Sequence, residues 1–383
     1  MSEYQYYEFQ AIDRPLTERE AATLRGCSSR ATITPTRFVN NYSYGSFKGN
    51  ASEWMAKYFD VFLYLANWGT REFMLRLPAR VLSLETAQRF CVSDAASARA
   101  KGDHVILEFR SDDEEGGEWI GEENGTLASV LPLRADLAGG DLRVLYLAWL
   151  LSAQLGELDD SDDEPSCPPG LGKLSAPLEA FVDFMRIDRD LIEVAAAASP
   201  ELVATDDAAL QRWVAALPES EKTALLVRLI GGAEAHLRAE LLRRFRESRA
   251  SEAPPAKART VGELLKAAEE RAEERRRQKA EHAAREKARR EREAADARER
   301  HLAALAKRET EAWRELDGLI ATKQPKKYDE AVALLGDLRD VCVRGGRQVE
   351  AAARIARLRE EHTKKPSLID RLRKAGLTPW ARS

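Results

Sequence analysis

The sequence has little of what usually marks an enzyme or a metalloprotein. Its four cysteines, Cys27, Cys91, Cys167 and Cys342, lie far apart in 383 residues and form no Cys-x-x-Cys pair. That spacing excludes a zinc ribbon and a disulfide framework, and it reads as reduced thiols in a reducing compartment. The five histidines (His104, His236, His282, His301 and His362) are isolated, and none completes a His-Glu-x-x-His pair. His104 reads as a structural histidine opening a strand, and His282 and His301 as water-facing. There is no Gly-x-Ser-x-Gly elbow and no Gly-x-Gly-x-x-Gly turn. Gly172-Lys173 looks like a phosphate loop but fails at both ends. Cys167 stands where the first glycine is required and Leu174 where the Ser or Thr is required. No apolar run reaches the roughly 18 residues of a membrane span. The opening Met-Ser-Glu-Tyr lacks the basic start and apolar stretch of a signal peptide. These absences predict a cytoplasmic, non-enzymatic protein without cofactor or metal.

What is abundant is charge. Charged residues make up 32% of the chain, against about 25% in an ordinary globular protein. The excess belongs on solvated surface, because unpaired buried charge is costly. The apolar share of 44% is enough for at least one sizeable core, and the length allows two or three domains. The net charge of −4 conceals an asymmetry. Residues 1–164 carry 27 acidic and 16 basic side chains, and residues 165–383 carry 37 and 44. An acidic front and a mildly basic back read as regions with different tasks, or as regions that attract each other.

Residues 1–158 read as an α+β domain. Tyr4 to Ile12 is rich in β-formers. Thr17 to Glu20 is a capping box opening a helix to Cys27. Ala31 to Tyr44 reads as one long strand bent at Pro35. Asn50 with Glu53 opens a helix expected to run to Asn67. Glu72 to Leu77 and His104 to Arg110 read as strands, with a short helix capped by Ser83 between them. This order predicts a two-layer sandwich, with a ferredoxin-like arrangement as the first guess. Residues 111–125 read as a loop and Asp141 to Leu155 as a buried helix. Residues 159–170 read as an acidic, proline-containing linker, without the spacing of a calcium loop. Over 171–250 the apolar faces suggest a small helical bundle: Leu178, Phe181, Val182 and Met185, then Leu210, Trp213 and Val214, then Leu225, Leu226, Leu229 and Ile230. Ser199-Pro200 reads there as a helix start.

After a break at 251–257, the capping box Thr260 to Glu263 opens one uninterrupted helix expected to reach Ala321. At 1.5 Å per residue it would span roughly 90 Å. Ion pairs at i,i+4 with the acid first, such as Glu281–Arg285, support it without a hydrophobic seam. An apolar stripe returns at Leu302, Leu305, Ala312, Leu316 and Leu319. Residues 322–377 read as a helical hairpin with a short last helix. The hairpin's first face is Tyr328, Val332, Leu335, Leu338 and Cys342, and its second includes Val349 and Ala352. A single hairpin cannot bury its own face, so it must dock on the preceding helix or on a partner.

Candidate binding residues follow from these patterns. Aromatics concentrate early, with 15 of 27 in residues 1–74. Most of them read as core. Arg37, Phe38, Asn40, Tyr42, Tyr44, Phe47 and Lys48 combine aromatics, amides and cations that could stack on or hold a peptide. Leu302, Leu305, Leu316, Leu319, Tyr328, Val332 and Leu335 are candidates for a partner interface. Arg275, Arg276, Arg277, Lys279, Arg285, Lys287, Arg289, Arg290 and Arg292 are the cations a nucleic acid would use. Yet residues 271–300 hold 12 basic and 8 acidic side chains, which fits a solvated ion-paired face better than a phosphate-binding one.

Two resemblances complete the reading. Tyr4-Gln5-Tyr6-Tyr7-Glu8-Phe9, the stretch Ile33 to Gly45, and Pro168-Pro169-Gly170-Leu171-Gly172 resemble an uncharacterised family of bacterial proteins that brings no established activity. Ile320-Ala321-Thr322-Lys323, Tyr328-Asp329-Glu330-Ala331-Val332 and Lys365-Pro366-Ser367-Leu368 are similar to the tails of bacterial SWIM zinc-finger proteins. The zinc ligands of those proteins are absent here, so the likeness implies a docking tail and a shared partner but no metal. Together the sequence predicts a scaffold: a binding domain, a long charged helix as spacer, and a docking hairpin, in a monomer or weak homodimer. The alternatives are nucleic-acid binding through the arginine-rich helix and an enzyme with a site in the N-terminal domain.

Overall fold

The computed structural model describes residues 4–45, 47–112, 126–201, 207–231, 237–250 and 259–377. Of the loop read at 111–125, residues 113–125 lie outside them, as do the break at 251–257, Ser46 and His236, while Ser111 ends a strand. The chain divides into two compact units, Met1–Arg275 and Arg276–Ser383.

The first unit is built on seven strands: β1 (Gln5–Gln10), β2 (Thr32–Ile33), β3 (Arg37–Tyr42), β4 (Val61–Ala66), β5 (Arg71–Pro78), β6 (Ala96–Lys101) and β7 (His104–Ser111). They form one antiparallel sheet in the order β2-β3-β1-β4-β5-β7-β6. The α+β class holds, but seven strands in this order replace the four of the ferredoxin-like guess.

Each face of the sheet has its own core, because successive residues of a strand point to opposite sides. Helices α1 (Glu18–Cys27) and α2 (Ala51–Lys57) belong to the face carrying Phe9, Phe38, Phe62, Met74 and Ile106. The other face presents Val61, Leu63, Leu65, Phe73, Leu75, Val105, Leu107 and Phe109. It is covered by α3 (Leu84–Gln88), α4 (Thr126–Val130), α5 (Pro132–Ala138), α6 (Arg143–Gln154), α7 (Ala176–Met185) and α8 (Arg189–Ala196). The capping boxes at Thr17 and Thr260 form as expected.

Four expectations change. The helix opened by Asn50 stops at Lys57, and Val61–Ala66 is a strand with all six residues buried. A strand covered on both faces is apolar throughout, so it carries no alternation to separate it from a helix. Residues 31–44 form the hairpin β2–β3 turning at Pro35 rather than one bent strand; Thr34 N–H donates to the Arg37 carbonyl at 2.8 Å. Edge strand β6, Ala-Ser-Ala-Arg-Ala-Lys, has almost no apolar signal and was not expected. Finally, α7 and α8 join the sheet core instead of a separate bundle, with Phe181 against Phe73 and Phe109 at 6.0 and 5.5 Å. Helices α9 (Asp207–Ala216) and α10 (Glu219–Ile230) bury no residue. They are followed by α11 (Leu237–Ala250). Ser199 accepts from Leu171 N–H and donates to the Pro168 carbonyl instead of capping a helix.

The stretch read as a solvated linker is tied down. Asp163 bridges Thr260, Glu164 N–H donates to the Arg259 carbonyl at 2.8 Å, and Val261 N–H donates to the Asp162 carbonyl. The Glu164 carboxylate takes Arg259 Nε and Nη2 at 2.7 and 2.8 Å and the Tyr146 hydroxyl. These contacts fix the start of α12 (Val261–Lys307), whose Val261, Leu264 and Ala268 are buried in the sheet core. Gly262 suits this close approach, since a Cβ there would sit 3.1 Å from Asp160 Cβ and would push it by a few tenths of an ångström.

The long helix does not reach Ala321 unbroken. Arg308 leaves helical geometry (φ −119°, ψ 27°) and α13 (Glu309–Ala321) begins, with no proline or glycine at the break. The Arg347 guanidinium holds Glu309 at 2.6 Å and pins the new start. The bend lets Leu302 and Leu305 join Ala312, Trp313, Leu316 and Ile320 in one core. That core is completed by α14 (Pro325–Arg344), α15 (Gln348–Glu361) and α16 (Pro366–Lys374). The hairpin therefore docks on the preceding helix. Val349 is 80% exposed, and the second face is Ala351, Ile355 and Leu358.

One buried ion cluster locks the first unit. Asp60 accepts from Ile12 and Asp13 N–H and from the Arg76 guanidinium at 2.7 Å, with Arg134 at 3.7 Å. Burial pushes its carboxyl up, but Arg76, these amides and Arg134 outweigh that and hold it below the usual range. Replacing Asp60 by Ala leaves the buried Arg76 guanidinium without its counterion, while Arg134 keeps Asp13 at 2.7 Å, so Asp60→Ala should cost about 3–5 kcal/mol in urea denaturation. The Asp60 contribution is complete above the unfolded carboxyl value near pH 4 and is lost only as pH falls through the depressed folded value. The wild-type loss of stability below pH 4 should be smaller in the variant.

Candidate functional site

The face that carries α1 and α2 does not stay apolar along its whole length. At one end of the strands its residues turn polar and aromatic: Gln5 and Tyr7 on β1, Tyr64 on β4, Glu72 on β5, Glu108 and Arg110 on β7. The register aligns them. Tyr7 opposes Tyr64, Tyr64 opposes Glu72, Glu72 opposes Arg110, and Glu108 lies one step along opposite Met74. Antiparallel partners on one face are close neighbours, so the strands themselves assemble the cluster.

Tyr7 is its centre. Its ring lies 4.6 Å from Tyr64, stacks on Phe47 at 4.7 Å and meets Tyr42 edge-on at 5.7 Å. The Gln5 side-chain carbonyl accepts from both phenols, Tyr7 at 2.7 Å and Tyr64 at 3.2 Å. The Gln5 amide in turn donates to the Gly45 carbonyl at 3.1 Å, tying the loop after β3 to the cluster. Burial raises both phenols above their ordinary range, and for Tyr7 the neighbouring Tyr64 adds to it.

The carboxylates are distributed unequally. Arg99 on β6 holds Glu108 at 2.6 Å, and Arg110 holds Asp112 at 2.7 Å. Glu72 makes no ion pair within 4.0 Å among the described residues. Burial, and then the neighbouring Glu108 carboxylate, push its pKa up to about 7. A half-buried carboxyl with its pKa pushed up to about 7, beside two tyrosines, is the most functionally suggestive group in the first unit.

The predicted site residues fall in different places. Arg37 turns to the opposite face and pairs with buried Glu8 at 2.6 Å, which also accepts from the Tyr6 hydroxyl. Phe38 is core, and the Asn40 amide donates to Ser28 Oγ at 2.9 Å. Tyr42 and Phe47 wall the Tyr7 cluster, whereas Tyr44 is 80% exposed and Lys48 is exposed. Leu302, Leu305, Leu316, Tyr328 and Leu335 are buried in the second unit's own core, with Leu319 and Val332 half-buried against it. They are used inside the chain. Gln5, Tyr7, Tyr64, Glu72 and Glu108 escaped the sequence reading. The available signal was a glutamate inside each of two apolar strands, Arg-Glu-Phe-Met-Leu and Val-Ile-Leu-Glu-Phe.

On the long helix, Arg275 pairs with buried Asp190 at 2.5 Å. Arg285 meets Glu281 at 3.8 Å, and Arg289 meets Glu286 and Glu293 at 2.8 and 3.4 Å. Acids are thus interleaved with the cations as the composition implied. Among the described residues, no three His, Cys, Asp or Glu side chains converge as metal ligands, and no helix is long and apolar enough to cross a membrane.

No family model, curated protein or solved structure matches the chain. Many of the residues that carry the two resemblances are packing residues: Phe9 and Phe38 in the first unit, Ile320, Tyr328, Ala331 and Leu368 in the second.

The Glu72 carboxyl gives a pH test. Its folded pKa lies above the unfolded value, so the folded state holds the proton more tightly. Stability should therefore fall as pH rises from about 4.3 to about 7. Glu72→Gln removes that slope. Urea midpoints measured from pH 5 to 8 should decline less steeply in the variant, and parallel curves would show that Glu72 titrates normally.

Proposed function

We propose that this is a non-enzymatic interaction protein. The acidic first unit binds one partner through the polar aromatic end of its sheet. The charged helix acts as connector and spacer, and the C-terminal helical unit docks a second partner. The observation that carries the reading is the state of α12 between its two ends. From Arg275 to Arg300 every residue but Glu286 is exposed. A helix that serves no core over that length has a connecting role, and its Ala-rich, ion-paired composition keeps it helical in water.

Charge partition supports two separate tasks. Residues 1–275 hold 46 acidic and 32 basic side chains, a net of −14. Residues 276–383 hold 18 and 28, a net of +10. Surfaces of opposite sign select different partners and speed their encounter. The likeness of the tail to those of SWIM zinc-finger proteins fits a docking role for the second unit.

Glu72 favours one alternative, an enzyme in the first unit, since a carboxyl titrating near 7 suits general acid–base work. Its carboxylate neighbour Glu108 is already engaged by Arg99 at 2.6 Å, which makes this the weaker reading.

Two experiments test the proposal. A photo-crosslinking residue is placed at Tyr44, at Ala288 or at Val349 in the source cells. Protease-sensitive adducts are expected at Tyr44 and Val349 with different partners, and none at Ala288. A nuclease-sensitive adduct at Ala288 would favour nucleic-acid binding, and no adduct at either end would overturn the proposal. Separately, Ala288→Pro breaks an exposed helix interior at a local cost of about 3 kcal/mol. Helicity should fall while the urea transitions of both units stay unchanged.

A further inference from the structure

Glu72 is a half-buried carboxyl whose side chain hydrogen-bonds another carboxyl, Glu108, and which makes no ion pair within 4.0 Å among the described residues. Glu72 sits on the floor of an aromatic face, directly opposite Tyr64, with Glu108 beside it on β7. The two arginines that could neutralise it are engaged, Arg99 by Glu108 at 2.6 Å and Arg110 by Asp112 at 2.7 Å. Tyr7 and Tyr64, with ring centres 4.6 Å apart, lie next to this carboxyl, Tyr7 carrying Phe47 stacked at 4.7 Å and Tyr64 showing only its rim to solvent at 9% exposure. Tyrosine faces attract cations through the ring quadrupole, and a carboxylate adds a charge-assisted hydrogen bond. Anionic ligands are disfavoured by the same carboxyls and by the unit's net charge of −14.

We infer that the Tyr7–Tyr64–Glu72 face is a receptor for a single cationic side chain, the ammonium of a partner protein's lysine, which lies against the tyrosine rings and donates to Glu72. The inference rests on the reading of the first unit as a partner-binding domain and names the chemistry of that partner: a basic segment.

The groups facing Glu72 are Tyr64 on β4, Glu108 and Arg110 on β7, Arg99 on β6 and Tyr7 on β1. Burial, and then the neighbouring Glu108 carboxylate, push its pKa up to about 7, so binding of a cation competes with that proton. Affinity should rise between pH 6 and pH 8.

The test uses the full chain with 13C-labelled tyrosine and n-butylammonium as the lysine mimic, with butyrate at equal ionic strength as the anionic control. Butylammonium is expected to shift the Tyr7 and Tyr64 ring signals saturably, and butyrate to shift neither. Its affinity should rise several-fold from pH 6 to pH 8. In Glu72→Gln it should fall about tenfold at pH 8 and lose its pH dependence, with the other tyrosine signals unmoved as the check on folding. The wild-type pH titration stands alone should the variant fail to fold. Equal affinity in the variant, a flat wild-type pH profile, or equal response to butyrate would overturn the inference. A partner adduct at Tyr44 without ammonium binding sinks only this inference. Ammonium binding without any partner adduct sinks the partner-binding reading instead.

Discussion

The return of the chain to Glu164 at residue 259 is the contact on which the organisation of the molecule depends. Glu164 is nearly buried, and it satisfies its carboxylate with a two-point grip on Arg259 and the Tyr146 hydroxyl. Arg259 also donates to the Val194 carbonyl at 2.9 Å, so one guanidinium joins α6, α8 and the root of α12. Such a pair is stable because both members are hydrogen-bonded on several sides, and losing either would strand a buried charge. Backbone pairing around Asp163 and Thr260 then sets the direction in which α12 leaves. Val261, Leu264 and Ala268 are buried, and Arg271 and Arg275 close on Asp190. Four turns are thereby fixed before the helix becomes fully solvated.

Beyond Arg275 the physics changes. With no apolar seam, helicity rests on alanine propensity and on pairs such as Glu281–Arg285 and Arg289–Glu293, each contributing a few tenths of a kcal/mol. Anchoring at both ends supplies the rest, since a helix whose first and last turns are held need not nucleate by itself. At the far end Arg298 reaches Asp337 and Asp340 on α14, and His301 meets Asp337 at 2.6 Å. The helix is therefore clamped by arginine–carboxylate contacts at both ends.

The legibility of the sequence followed burial. Local signals with their own chemistry were readable: the Thr17 and Thr260 capping boxes, the Asn50 cap, the apolar run of α6 and the charged face of α12. Signals that depend on what covers a segment were not. Val61–Ala66 reads as helix because both its faces are buried, and β6 reads as nothing because it is an edge. In the acidic run at 159–164 the aspartates are exposed as the composition implies, but Glu164 is engaged by Arg259, 95 residues later. The break at Arg308 is invisible for the same reason. No proline or glycine marks it, and Glu309 just past it is held by Arg347, far along the chain.

The candidate site was half legible, and the missing half is instructive. Tyr42 and Phe47 were singled out because they are aromatic residues in a polar stretch, and both stand at the site's wall. The floor was missed because Tyr7, Tyr64 and Glu72 come from three strands aligned only by register. Register matters energetically too. A slip of one residue would turn Glu72 and Tyr64 into the core of the opposite face, among Leu63, Phe73 and Leu75. The apolar pattern of β4 and β5 therefore does more than build a core. By forbidding the slip, it holds the Glu72 carboxyl in register beside Tyr64 and within hydrogen-bonding reach of Glu108, so the polar end of the face is set by the same pattern that sets its core.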